Sequence, residues 1–205
     1  VYMAHLALTD PAEGRFSCFE RLSRGALNLA GARADPFRLW LEDWEASSRT
    51  GSPTWALTAR EGDIGLSLSL RPLKPVVLHG EQGLSRKGEG PGQASYYYSL
   101  TRLAAQGTIT LGEHALPVRG TAWFDHEWST SALGPDLAGW DWFALQLDDG
   151  AEVMVYRLRS KNGSTSPWSA GTFVDAAGDA RATSQKCRTA DSRCLGAPLS
   201  LSSAA

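Results

Sequence analysis

Two adjacent tryptophan-rich segments contain the residues of this chain that are best suited to chemistry. The first runs from 120 to 131 as GTAWFDHEWSTS, and the second runs from 139 to 150 as GWDWFALQLDDG. Because side chains alternate between the two faces of a strand, His126 shares a face with Trp128, and Asp141 falls in line with apolar residues. A histidine and an aspartate on apolar faces are costly to bury unless they pair or act chemically.

These residue types suit the addition of water to an alkene. That reaction needs an acid to protonate carbon, a wall that tolerates a carbocation, and a base to direct water. Asp141 would be the acid, because desolvation keeps a carboxyl group protonated near neutral pH, and His126 would be the base. Tryptophan faces stabilise cations. We therefore predict that His126 and Asp141 are catalytic and that no cofactor is needed. The predicted ligand-binding residues are Trp128, Trp140, Trp142, Tyr156 and Tyr97.

Each of these residues also has a structural interpretation. His126 and Asp141 would hydrogen-bond each other and pin two strands, and the tryptophans would fill a β core, where aromatic side chains dominate. Asp125 and Glu127 would form a solvated strand face, and with a single histidine between them they do not match the spacing of a zinc site. No metal site is predicted. The absence of a Gly-x-Ser-x-Gly elbow argues against a Ser-His-Asp hydrolase.

Length and charge restrict the class of protein. At 205 residues the chain can form one large β domain, or one domain and part of a second. The net charge is −2 without a polybasic run, so we expect no nucleic-acid partner. No apolar run approaches the ~20 residues that span a bilayer, and the first residues do not resemble a signal peptide. Cys187 and Cys194 could form a disulfide, but unpaired surface thiols are the favoured interpretation.

Short alternating segments separated by turns predict an all-β fold, an antiparallel sandwich or barrel. The clearest strand is Ile64–Leu70, in which every second residue is apolar. The other predicted strands are 2–8, 37–44, 55–59, 76–79, 96–103, 108–111, 116–125, 140–147, 153–159 and 171–174. One helix is considered for Phe16–Leu29, where apolar residues recur at steps of three and four. The glycine-dense loop 81–92 is interpreted either as a mobile hairpin tip or as a flap over a cavity mouth.

Several short motifs accompany the two tryptophan-rich segments: Tyr2–His5, Thr9–Asp10, Glu20–Arg21, Ser23–Gly25, His79–Gly83, Ser85–Lys87 and Ala94–Ser99. In combination they resemble the AttH-type family, known as predicted secreted hydrolases. This family also includes carotenoid 1,2-hydratases (hydroxyneurosporene synthases), kievitone hydratase and some fungal Diels–Alder cyclases. The resemblance covers about residues 1–180.

The resemblance implies two lipocalin-like β domains. We accordingly expect a first domain at 1–135, the incomplete start of a second domain at 136–182, and a disordered Ser/Ala-rich tail at 183–205. Compared with the family, the chain is expected to be truncated at both ends. Many members are exported from bacteria, and their genes often lie beside the gene of a membrane transporter. The resemblance therefore implies a periplasmic or secreted protein with an envelope ABC-type transporter as its partner.

One motif of the carotenoid-hydratase branch is matched and another is not. The His-x-Trp pair corresponds to His126 and Trp128, whereas the later Tyr-x-Asp pair meets Tyr156 followed by Arg157 and Leu158. The expected function is therefore the handling of an apolar small molecule, an isoprenoid or lipid, by a cofactor-free hydratase, lyase or isomerase. The alternative is a non-catalytic lipid-binding accessory protein of an envelope transporter.

Overall fold

A computed structural model describes residues 1–130 and 133–184, and within these ranges the chain is built almost wholly of β-strands. Every strand pair whose register the structure defines is antiparallel, and no α-helix occurs in the described residues. The predicted all-β, antiparallel class is therefore confirmed. The strands are β1 Tyr2–Asp10, β2 Arg15–Ser23, β3 Ala30–Arg33, β4 Arg38–Leu41, β5 Trp44–Ser48, β6 Trp55–Glu61, β7 Ile64–Pro72, β8 Val77–Leu78, β9 Leu84–Arg86, β10 Ala94–Leu111, β11 His114–Trp128, β12 Leu137–Gln146, β13 Glu152–Ser160, β14 Ala170–Val174 and β15 Ala180–Ser184.

The chain divides into two compact units. Unit 1 comprises Val1–Pro75 with Arg102–Phe124, and unit 2 comprises Val76–Thr101 with the described part of Asp125–Ala205. The long strands β10 and β11 each contribute one part to unit 1 and the other part to unit 2. The domain limits expected from the sequence stay a prediction, and Cys187 and Cys194 lie outside the described residues.

Unit 1 is organised around the strand with the clearest alternation in the sequence. β7 pairs with β6 on one side and with the unit 1 part of β10 on the other, and the sheet continues in the order β6-β5-β4-β3. Apolar residues at every second position turn one face of these strands inward, because strand side chains alternate. The buried apolar residues of unit 1 are Leu6, Ala30, Leu41, Trp44, Leu70 and Leu103.

The helix considered for Phe16–Leu29 is wrong. This segment forms β2, which pairs along its whole length with β1, and then a short 3₁₀ turn at Ala26–Asn28. The turn before β2 is stabilised by the Asp10 carboxylate, which accepts hydrogen bonds from two backbone N–H groups of the turn. Pairing with β1 therefore determines the structure of this segment, although its apolar residues also recur at helical spacing.

Two strand boundaries also differ from expectation. The predicted strand 37–44 is a hairpin, because Glu42 adopts a left-handed conformation (φ 58°) and Leu41 pairs with Trp44 across the turn. The segments 96–103 and 108–111, predicted as separate strands, form the single strand β10. Gly107 (φ 156°) lies within β10, and a side chain there would meet the backbone of β7, so the glycine permits close approach rather than ending the strand.

Unit 2 contains a four-stranded sheet in the order β12-β13-β14-β15, and β8 and β9 both pair with the unit 2 part of β10. Alternation in β13 buries Glu152, Met154, Tyr156 and Leu158, whereas β12 leaves its tryptophans exposed. Residues 183 and 184, assigned to the tail by sequence, belong to β15. Residues 1–130 and 133–184 contain no helix that is long and apolar enough to cross a membrane.

Candidate functional site

A cavity of about 490 Å³ lies within unit 2. It is lined by all five residues that the sequence predicted to bind a ligand, which come from β10, β11, β12 and β13. The described residues that line it are Lys87, Gln93, Ala94, Ser95, Tyr97, Glu127, Trp128, Ser129, Leu133, Trp140, Trp142, Tyr156 and Leu158. Whether a ligand binds there stays a prediction.

Strand alternation divides the aromatic lining into a buried and an exposed group. Tyr97 and Tyr156 are 3% and 5% exposed, whereas Trp128, Trp140 and Trp142 are 48%, 58% and 42% exposed. The Trp142 indole is fixed at its polar end, since its Nε1–H donates to the Tyr97 hydroxyl at 3.1 Å. The cavity therefore has hydroxyl groups on buried strands and open apolar rings on β11 and β12.

A hydrogen-bonded polar cluster occupies one part of the lining. The Lys87 ammonium donates to Ser85 Oγ at 3.1 Å, lies 3.3 Å from Glu127 Oε1 and is 3.7 Å from the centroid of the Tyr156 ring. Ser85 Oγ in turn lies 3.0 Å from the Tyr156 hydroxyl, and Ser95 Oγ donates to Glu127 Oε1 at 2.5 Å. The Glu127 carboxylate thus contacts the Lys87 ammonium group directly, and Ser85 connects this ammonium group to the Tyr156 phenol.

A second polar network runs behind the cavity. Asp125 Oδ1 accepts hydrogen bonds from the Tyr97 hydroxyl (3.0 Å) and from Ser99 Oγ. Because the Ser99 hydrogen is used in this way, Ser99 Oγ must accept from His79 Nε2–H at 2.7 Å. In the neutral ring, His79 Nδ1 then accepts from the Thr172 hydroxyl at 2.8 Å. The network therefore places the ring proton of a neutral imidazole on Nε2.

Burial controls the ionisation of this second network. Desolvation, reinforced by the nearby Lys87 charge and opposed by Glu127, lowers the pKa of His79 from 6.5 to about 4. Desolvation and the charge of Asp125 raise the pKa of Tyr97 well above its usual value. Near neutral pH both groups are therefore uncharged, and the Tyr97 hydroxyl keeps the proton that it donates to Asp125.

His126 faces away from these networks. Its Nδ1 lies 3.0 Å from the Tyr98 hydroxyl, and its ring packs 4.6 Å from the Trp128 ring on the exposed face of β11. The face shared by His126 and Trp128 is as predicted, and Tyr96 extends the row of rings by stacking on Trp128 at 5.5 Å. Trp128 reaches the cavity lining, but His126 is not among the lining residues.

Asp141 lies opposite Arg157 in the β12–β13 pair and is bound by arginines. Arg157 Nη2 lies 2.6 Å from Asp141 Oδ2, and Arg159 Nε lies 3.5 Å from Asp141 Oδ1. The expected hydrogen bond between His126 and Asp141 is therefore wrong, because the two residues have separate partners. The apolar surroundings expected for the Asp141 carboxyl are also replaced by two guanidinium groups.

The carboxylates of β11 match the expected solvated strand face only in part. The Glu127 side chain is 42% exposed and Asp125 is half-buried, yet both accept hydrogen bonds from buried residues of β10. Alternation correctly placed them on a common face but could not identify their partners on the neighbouring strand. Lys87 and Ser85 were missed as site residues, although both occur in a segment that carries the family resemblance.

The loop between β9 and β10 is closed by Gln93. Lys87 N–H donates to Gln93 O at 2.8 Å, and Gly90 N–H donates to Gln93 Oε1 at 3.1 Å. The loop lines a second cavity of about 570 Å³, and Gln93 contributes to both cavities. This position agrees with a role at a cavity mouth, while movement of the loop as a flap stays a prediction.

Comparisons with known proteins agree with the sequence resemblance. The family model described as AttH-like matches residues 1–193. The crystal structure of a Nitrosomonas europaea protein that bears the AttH designation is similar to this chain, with 37% identity and a TM-score of 0.80 over 90% of this chain and 57% of that chain. Kievitone hydratase from Nectria haematococca shares the fold, with 13% identity and a TM-score of 0.68 over 88% of this chain and 54% of that chain. This chain thus spans little more than half of either solved protein, and no curated protein matches it.

Proposed function

Because this chain belongs to the AttH-like family, we propose that it binds an apolar small molecule, an isoprenoid or another lipid, in the cavity of unit 2. The observation that carries the proposal is the lining of this cavity, in which three tryptophans and two leucines adjoin a small polar cluster. Mostly apolar concavities with a few convergent polar groups are typical of small-molecule sites.

Exposure of the tryptophans supports the same proposal. The three indole rings that line the cavity leave about half of their surface in water. Covering apolar surface stabilises a complex by roughly 25 cal/mol per Å². Contiguous exposed apolar surface of this kind marks binding sites. An apolar molecule seated against these rings would gain this stabilisation, whereas a sugar or nucleotide would not.

Tryptophan fluorescence tests the binding. We expect the isoprenoid alcohol farnesol to quench emission saturably, while glucose and ATP have no effect. Trp142→Phe should reduce the amplitude of quenching, because this ring lines the cavity. Trp168→Phe is the matched control, since Trp168 lies in unit 2 outside the lining and should change only the initial emission. Tight binding of ATP without any response to farnesol would refute the proposal.

A second candidate function is a cofactor-free hydratase, lyase or isomerase acting on the bound molecule. The favouring observation is the chain from Glu127 through Lys87 and Ser85 to Tyr156, which brings a base and an acid to one apolar cavity. Tyr156→Phe removes the phenol hydroxyl but keeps the ring beneath Lys87. We expect this change to abolish turnover, whereas the ligand affinity should fall by no more than about tenfold, the contribution of one hydrogen bond. Undiminished turnover would exclude Tyr156 as the acid.

The catalytic roles predicted for His126 and Asp141 are tested by His126→Ala and Asp141→Asn. If both residues are catalytic, turnover should be lost with little change in stability. If they are structural, each change should cost no more than about 1 kcal/mol and leave turnover unchanged, because His126 is exposed and Asp141 and its arginine partners are partly exposed. Turnover of each variant, compared with its thermal melting, distinguishes the two outcomes.

The other alternative is a non-catalytic lipid carrier that serves an envelope transporter. Periplasmic or secreted location and this partner stay proposals that rest on the family resemblance. Pull-down of the transporter from detergent-solubilised envelopes with the full-length protein would test the association. Retention of the transporter only when the protein carries lipid would support the carrier function.

A further inference from the structure

The polar cluster of the cavity has a balanced charge, and this bears on the ligand. Lys87 and Glu127 are the only charged residues among the described residues of the lining, and Lys87 Nζ lies 3.3 Å from Glu127 Oε1. The Lys87 side chain is only 16% exposed. Asp125 adds a further negative charge behind the Tyr97 hydroxyl. A carboxylate or phosphate entering the cavity would therefore find Lys87 already neutralised and would be repelled by Glu127.

The same cluster leaves hydrogen-bonding positions for a neutral group. Both contacts that Glu127 makes with the described residues use Oε1, so Oε2 can accept a hydrogen bond from a ligand. Ser85 Oγ accepts from Lys87 and can donate to the Tyr156 oxygen, which frees the phenol hydrogen for a ligand oxygen. One acceptor and one donor in the lining of a mostly apolar cavity match a hydroxyl group, which both donates and accepts.

We infer that the cavity selects apolar alcohols over the corresponding acids, with the ligand hydroxyl donating to Glu127 and accepting from Tyr156. This inference rests on the proposed function, which it narrows from apolar molecules in general to those that end in a hydroxyl group. Lys87 acts as the counter-charge of Glu127, 3.3 Å away, and these paired charges set the preference.

Titrations with three compounds of equal chain length test the inference. Farnesol, farnesyl methyl ether and farnesoic acid are added to the protein at pH 8, and quenching of tryptophan fluorescence is measured. We expect farnesol to bind at least about tenfold more tightly than farnesoic acid, because the acid places a second anion beside Glu127. The ether, which can accept but not donate, should bind with intermediate affinity.

Charge variants reverse the preference if the inference is right. Glu127→Gln leaves Lys87 without its counter-charge, so the affinity for farnesoic acid should rise at least about tenfold. The affinity for farnesol should fall, because a neutral amide oxygen is a weaker acceptor for the ligand hydroxyl than a carboxylate. Lys87→Gln should weaken farnesoic acid further. Glu81→Gln is the control for net charge, because Glu81 is exposed and outside the lining, and it should change neither affinity.

The outcomes separate the inference from the proposed function. Failure of all three compounds to quench the wild-type protein would refute binding of isoprenoids itself. Binding of farnesoic acid as tightly as farnesol would overturn the alcohol preference while leaving the proposed function standing. If Glu127→Gln does not fold, as judged by its near-UV circular dichroism, the wild-type affinities and Lys87→Gln still decide the question.

Discussion

Protonation of His79 should destabilise unit 2 as the pH falls. His79 is 1% exposed, and both ring nitrogens are hydrogen-bonded to hydroxyl groups. The pKa of His79 is lowered from 6.5 to about 4 in the folded protein. Between these values the unfolded chain binds a proton that the folded chain does not bind. The contribution of neutral His79 to the free energy of unfolding is therefore fully present above pH 6.5 and is lost as the pH falls toward 4.

The size of this effect follows from the pKa difference. A shift from 6.5 to about 4 corresponds to about 3 kcal/mol, at 1.36 kcal/mol for each pKa unit. Other groups also titrate in this range, so the contribution of His79 must be isolated by comparison with a variant. His79→Gln is suitable, because its amide N–H can still donate to Ser99 but the side chain does not titrate.

Urea denaturation at pH 7.5 and at pH 4.0, followed by tryptophan emission, measures the difference. We expect the wild-type protein to lose about 3 kcal/mol more than His79→Gln between these two pH values. His126→Gln serves as the control for replacement of an exposed histidine. Equal pH dependence in the wild-type protein and His79→Gln would show that His79 is not buried as a neutral ring.

Two further substitutions test backbone and ion-pair arguments. Gly80→Ala should cost about 3 kcal/mol, because Gly80 has φ 69° and an added Cβ would lie 2.3 Å from the backbone oxygen of Leu84. Gly14→Ala, with a similar φ of 62° but open space around the Cβ, should cost only about 1 kcal/mol in the same urea titration. Arg21→Lys should cost about 1–2 kcal/mol, because the half-buried guanidinium bridges several carboxylates that an ammonium group cannot contact together. Arg15→Lys, at an exposed pair, should change the unfolding free energy by less than about 0.5 kcal/mol, and equal costs at the two arginines would contradict this reasoning.

Local patterns in the sequence were sufficient to predict most of the strands. Alternation of apolar residues located β7, β12 and β13 to within a few residues, because burial of one sheet face imposes a period of two. The five aromatic residues assigned to ligand binding do line one cavity. Their chemistry suggested this placement, since large rings on inward or half-buried strand positions define concave apolar surfaces.

Only the tertiary structure decided which polar residues meet. Strand alternation placed Asp125 and Glu127 on one face of β11. Their hydrogen-bond partners depend on the neighbouring strand β10, whose serines and tyrosine donate to them. The partner of Asp141 was likewise set by the register of β12 against β13, which places Arg157 opposite.

Long-range partners lie beyond the reach of any sequence pattern. His79 bonds Thr172 across 93 residues, and Ser85 bonds Tyr156 across 71 residues. The amino-acid sequence by itself determined the fold class, most of the strands and the family. These properties follow from local alternation and short motifs. The polar cluster of the cavity was decided by strand pairing and packing, because hydrogen bonds join whatever side chains the fold brings within about 3 Å.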